Sequence, residues 1–282
     1  MIHDSLRSNL VSHLHELIRE RDPYVSSQGH YYARHYIHTQ LSQWGTPTQM
    51  PFTCRGQVHY NIGLNLPGQS DRAPIVIGAH YDTVPGCPGA DDNATGVAVL
   101  LELARYFAAQ PPQRPVYLVA FDLEEYGLIG SQAYVQTQID QPIHLMLSLE
   151  MLGYRAAKIP ERPSQNYPVA ALKYIYPTDG DFIALIGNWQ LVPTLWRLQQ
   201  EFRKTGLPCA WLPMVNRGQP IPATRRSDHA PFWDAGYDAI LVTDTAELRN
   251  PHYHKRTDTF DTLDLKFLTQ VCQGLQQGIA QL

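Results

Sequence analysis

The sequence predicts an α/β protein with a mixed, mainly parallel central β-sheet flanked by helices on both faces. Three observations lead there. Six compact apolar runs have strand length: "IVIGAH" from Ile75, "VYLVAF" from Val116, "IHLMLSL" from Ile143, "DFIALIG" from Asp181, "CAWLPMV" from Cys209 and "AILVT" from Ala239. Little polar alternation interrupts them, as expected of strands buried on both faces. Helical patterns lie among them, in "DDNATGVAVLLELARYFAAQ" and at about 190–204 and 263–278. Strands alternating with helices argue for a sheet covered by helices. The segment from Gln57 to Leu66 alternates instead, which reads as an outer strand and makes the sheet mixed.

Before these strands come two helical stretches, at about 3–20 and 28–44. Leu6, Leu10, Leu14 and Leu17 repeat at helical spacing in the first, and Gly45 with Pro47 ends the second. Charges begin at once, so the start is an amphipathic helix and not the apolar core of a signal peptide. No apolar run is long enough to span a bilayer, and a cytoplasmic location is expected. At 282 residues, with 44% hydrophobic and 17% charged residues, the chain suits one large core. No low-complexity linker divides it. One domain over 1–282 is expected, with the helical segment of about 1–45 packed on it. A net charge of −4 gives no global attraction to nucleic acid or an anionic membrane. Cys54, Cys87, Cys209 and Cys272 show neither close pairing nor metal-knuckle spacing, and read as isolated, mostly buried thiols.

Ligands of open α/β sheets bind beyond the carboxyl ends of the strands. Three predicted strand ends carry metal-competent groups: His80 closes "IVIGAH", Glu124 and Glu125 follow "VYLVAFDL", and Glu150 closes "IHLMLSLE". A neutral imidazole binds zinc, and its other ring nitrogen needs a partner, which Asp82 can be. A capped surface turn is the alternative for "HYD". Asp91 and Asp92 precede an apolar helix, where one of them could serve as N-cap. A carboxylate at that junction could instead bridge two cations, whose charge would stabilise a cluster with Glu124, Glu125 and Glu150. Adjacent glutamates at a strand exit point differently, so one can bind metal while its neighbour handles the proton of a water. Glu150 ends so apolar a run that it needs pairing or a metal. Downstream, "NPHYHKRTDT" offers His252 and His254, both as ligands or one as ligand and one as packing.

Other groupings lead elsewhere. His15 in "HLHELIRE" lacks the second histidine of a zinc helix. His30, His35 and His38 lie in a helical pattern beside tyrosines and take surface or core roles. "SDHAPFWDAGY" cannot stack Ser227, Asp228 and His229 into a triad, and no G-x-S-x-G elbow exists. The glycines of "GCPGADDNATG" match neither a P-loop nor a dinucleotide fingerprint.

Taken together, "GAHYDTVPGCPGADDNATG", "AFDLEEYGLIGS", "SLEMLGY" and "NPHYHKRTDTFDTLD" resemble, in order, the metal-binding blocks of the M28 family of zinc peptidases, especially its bacterial aminopeptidases. The resemblance covers about residues 75–270. It implies a zinc-exopeptidase fold and two Zn2+ ions, one held by His80 and Glu150 and the other by Glu125 and His254, with Asp92 shared. It further implies Glu124 as general base, Asp82 orienting His80, and substrates that are peptides with a free N-terminus. The family often has aspartate where this chain has Glu150. Glutaminyl-peptide cyclotransferases share the broader fold, usually with one zinc, and are the alternative. A non-enzymatic binding module would leave His80, Asp92, Glu125, Glu150 and His254 without a shared purpose.

Overall fold

In a computed structural model the described residues are 2–138, 141–156 and 164–282. The chain opens with α1 (Ile2–Leu17) and α2 (Ser27–Leu41), followed by β1 (Thr48–Cys54), β2 (Gln57–Leu66) and β3 (Ile75–His80). Next come α3 (Gly96–Ala109), β4 (Val116–Phe121), α4 (Ile129–Thr137), β5 (Leu145–Glu150) and β6 (Ile183–Asn188). The remainder is α5 (Val192–Lys204), β7 (Cys209–Met214), α6 (His229–Asp234), β8 (Ala239–Thr243) and α7 (Leu265–Ala280). The strands form one eight-stranded sheet in the order β1-β2-β4-β3-β5-β8-β6-β7. Pairs β3–β4, β3–β5, β5–β8 and β6–β7 are parallel, while β1–β2, β2–β4 and β6–β8 are antiparallel.

Each apolar strand divides its side chains between two cores. Ile75, Ile77, Leu118, Leu145 and Leu147 join the larger one, under α1, α2, α3, α5 and α7. Val76, Val119, Phe121 and Met146 face the smaller one, with Tyr134 of α4 and Phe232 and Trp233 of α6. Burial on both faces explains why these strands lack alternation. Two details differ from the sequence expectation. The segment at Gln57 is not outermost, because β1 pairs along its free side from Thr48↔Gly63 to Cys54↔Gln57. β1 is half-exposed and carries Pro51, so it offered no apolar run to read. The second helix also stops at Leu41, before the Gly45 that was expected to end it.

This topology places the site. From β3 the chain moves toward β4, and from β5 it moves the other way, past β8 to β6. Winding therefore reverses between β3 and β5, where a crevice opens at the strand ends. His80 and Glu150 are the last residues of those two strands.

Candidate metal centre

His80, Asp92 and Glu150 bring ligand atoms together in one group, and Asp92, Glu125 and His254 do so in a second. Asp92 belongs to both. Its Oδ1 lies 3.2 Å from His80 Nε2, and its Oδ2 lies 3.2 Å from His254 Nε2. Glu150 Oε2 approaches His80 Nε2 at 3.4 Å, and Glu125 Oε2 approaches His254 Nε2 at 3.0 Å. Ligand atoms about 2.0–2.1 Å from a tetrahedral zinc stand roughly 3.3 Å apart. Both groups have that spacing. Asp92 Oδ1 and Glu125 Oε1 are buried without a hydrogen-bond partner, as oxygens awaiting a cation would be. The residues present therefore fit divalent metal.

The electrostatics agree with that fit. Burial pushes the Glu125 carboxyl up to about 7, with Asp92 adding to the effect. Burial also raises Glu124 well above the usual carboxylate range, helped by Glu150 and Glu125. Asp228, buried beside the same groups, rises to about 7. Burial works against a charged His80, yet Glu150 and Glu124 hold its imidazole well above its ordinary value. A divalent ion held here would offset the crowding of these carboxylates.

Asp82 ties the two strand ends together. It is fully buried, stands 3.4 Å from His80 Nδ1, and accepts the backbone N–H groups of Glu124 and Glu125, each at 3.1 Å. The loop to Asp92 is held from beneath by Arg21. This buried guanidinium donates to the carbonyls of Tyr81, Pro88 and Gly89, and burial lowers it only to about 10, so it stays charged. Asp258 accepts the N–H groups of Asp91 and Asp92 at 2.9 and 3.1 Å. Asp91 faces away from the candidate ligands, accepting from Gly153 N at 2.8 Å and Asn250 Nδ2 at 2.7 Å.

Neither Arg21 nor Asp258 was singled out in the sequence. The only signal for Asp258 was its position four residues after His254; Arg21 gave none, since an arginine just past a helical stretch ordinarily points to solvent. Of the downstream histidines, His254 alone reaches the cluster, while His252 meets Thr257 Oγ1 at 2.9 Å. His229 is buried against Trp233, with Nε2 2.8 Å from the Thr224 carbonyl. The four cysteines are free thiols.

Gly130, at the start of α4, has no room for a side chain. A Cβ there would stand 2.1 Å from the Asp122 carbonyl oxygen and 2.5 Å from Asn61 Oδ1. Gly130→Ala is expected to cost ~1–3 kcal/mol through overpacking and to lower the Tm by roughly 5 °C. Thermal melting beside the parent checks this, and an unchanged Tm would show that the loop yields freely.

A crevice at the switch point of an α/β sheet, lined by two imidazoles and two glutamates around one shared aspartate, defines a metal-binding site of the kind that hydrolases use. The family model for Peptidase family M28 matches residues 61–277, and the chain belongs to that family. Its fold is that of solved aminopeptidases. Uncharacterized protein YfbL of Escherichia coli K12 is 38% identical over 244 residues, covering 82% of this chain and 72% of its own. Aminopeptidase YwaD of Bacillus subtilis is 29% identical over 217 residues, covering 74% of this chain and 41% of its own, so the chain spans less than half of that relative. The LapA aminopeptidase of Legionella pneumophila superposes with a TM-score of 0.73 at 19% identity, covering 97% of this chain and 72% of LapA. A glutaminyl cyclase of Bacteroides thetaiotaomicron, bound to N-acetylhistamine, gives 0.70 at 17% identity and covers 99% of this chain and 97% of its own. At such identities these two likenesses speak for the fold.

Proposed function

We propose that the chain is a di-zinc aminopeptidase that removes the first residue from peptides with a free α-amine. The observation that carries this reading is Asp92, whose two oxygens face different imidazoles at equal distance. His80 and Glu150 would hold one ion, Glu125 and His254 the other, with Asp92 between them. Zinc in such a site supplies Lewis-acid polarisation of the peptide carbonyl and a water acidic near neutrality. Glu124, free of ligand duty in this assignment, takes the proton of the attacking water and returns it to the departing amine. Asp82 keeps Glu124 and Glu125 in place through their backbone N–H groups. The carboxylates of Glu124 and Glu150 attract the substrate's ammonium group, which confines cleavage to the chain end.

Beside Glu150 opens a cavity whose walls include Tyr167, Tyr176, Phe182, Trp211 and Leu241. Phe182 and Trp211 bring aromatic faces to it. Phe232 lies in the smaller core, and Tyr154 packs on His252. An apolar first side chain fits this cavity. At about 0.8 kcal/mol per buried methylene, Leu should gain roughly 2 kcal/mol over Ala, or roughly 30-fold in kcat/KM. Steady-state rates on Leu- and Ala-terminated peptides check this, with equal rates as the contrary result.

A second reading is the cyclase chemistry, which the same fold carries in the Bacteroides thetaiotaomicron glutaminyl cyclase. The two chemistries differ in product. Mass spectrometry of N-terminal Leu, N-acetyl-Leu and N-terminal Gln peptides separates them. Release of free Leu, abolished by acetylation, is the expected result. Loss of ammonia from the Gln peptide alone, with all peptide bonds intact, would overturn the aminopeptidase reading in favour of the cyclase.

A further inference from the structure

Behind the Glu124–Glu125 turn lies a buried polar cluster that the chemistry above does not use. Asp122, fully buried, follows β4. Its Oδ1 meets His30 Nε2 at 2.7 Å and accepts the Leu123 N–H at 2.9 Å. A carboxylate only accepts, so the Nε2 of His30 carries the shared proton. His59 Nδ1 lies 3.4 Å from Oδ2. Asn61 accepts the Asp122 N–H at 3.0 Å and donates to the Gly130 carbonyl at 2.8 Å. Burial works against a charged Asp122, yet the bond from His30 and the nearby His59 imidazole hold its carboxyl below the usual range.

What this cluster grips is the turn itself. Leu123 sits at φ 56°, a left-handed conformation that a leucine keeps only where its surroundings impose it. One residue on, Glu124 and Glu125 give their N–H groups to Asp82. Four consecutive N–H groups, from Asp122 to Glu125, are therefore accepted by three side chains, with Asp122 behind the turn and Asp82 in front. His30 comes from α2 and stacks on Tyr81, the neighbour of His80, at a ring separation of 5.1 Å. The N-terminal helical segment thus reaches the turn through one imidazole.

We propose that His30, acting through Asp122, is a positioning residue for Glu124: it fixes the carboxylate that holds the Leu123 turn from which the base projects. This rests on Glu124 being the general base. Loss of the His30 hydrogen bond lets the turn relax and misplaces the base, which slows the chemical step far more than it weakens substrate binding; metal is retained because the Glu125 carboxylate stays fixed at His254.

Two replacements separate the hydrogen bond from packing. His30→Phe keeps an aromatic ring on Tyr81 without a donor, whereas His30→Gln keeps a donor near the Nε2 position without the ring. With the zinc-loaded full chain and an N-terminal Leu peptide, His30→Phe should lose about 10-fold in kcat, with KM within about twofold and zinc content at the parental level. His30→Gln should return to within about threefold of the parent. Amide hydrogen exchange over residues 122–126 should quicken in His30→Phe and stay parental in His30→Gln. Parental kcat in His30→Phe, equal loss in both variants, or lost activity with unchanged exchange would each overturn the proposal. Should His30→Phe fail to fold, Asp122→Asn replaces it. That variant keeps an acceptor for the Leu123 N–H but loses the charge that holds the imidazoles, and a parental kcat there would overturn the proposal equally. If the parent protein releases no Leu, the aminopeptidase reading fails, and the exchange measurement alone decides whether His30 holds the turn.

Discussion

Glu124→Gln is expected to release the N-terminal residue at least ~100-fold more slowly than the parent protein while keeping its zinc. Glutamine preserves the size of the side chain and its capacity to accept a hydrogen bond, but it cannot take up the water's proton. The turn should be undisturbed, because Asp82 holds the backbone N–H groups of Glu124 and Glu125 and not their side chains. Glu125→Gln provides the contrast. Its carboxylate lies 3.0 Å from His254 within the second candidate ligand group, so this variant should lose metal before it loses anything else. Turnover and zinc content measured together decide the matter. A Glu124→Gln protein that works at the parental rate with zinc bound would reject the general-base assignment.

Asp92→Ala is expected to have the largest effect on metal retention, since Asp92 alone belongs to both ligand groups. His80→Ala removes one ligand from one group and should weaken zinc binding less. Zinc that binds only the folded chain stabilises it by mass action, and without it the buried carboxylates of Glu124, Glu125 and Glu150 face one another. A chelator should therefore lower the Tm of the parent clearly. It should change the Asp92→Ala protein little, because that protein begins with its zinc already lost. Equal zinc content and equal chelator response in parent, His80→Ala and Asp92→Ala would reject the ligand assignment.

Most of what places the site was legible in the sequence. Strands buried on both faces announce themselves as short apolar runs, and all six such runs became strands of the sheet. His80 and Glu150 could be placed together because each closes such a run and the crevice rule brings strand ends to one edge. Residues that act through hydrogen bonds were harder to see. Asp258 and Asn250 support Asp91 and Asp92 across more than 150 residues of sequence, a contact that no local spacing announces. His30 read as an ordinary helical histidine, since its partner Asp122 is 92 residues away. β1 escaped notice for a different reason: an edge strand with one exposed face and a proline carries too little hydrophobic pattern.

Native mass spectrometry of the zinc-saturated chain, run beside turnover of an N-terminal Leu peptide, bears most directly on the claim that Asp92 joins two metal sites. The expected result is two zinc ions per chain, with free Leu released at full rate only when both are bound and with Asp92→Ala retaining neither. Saturation at a single zinc with full activity, or retention of two zinc ions by Asp92→Ala, would contradict it.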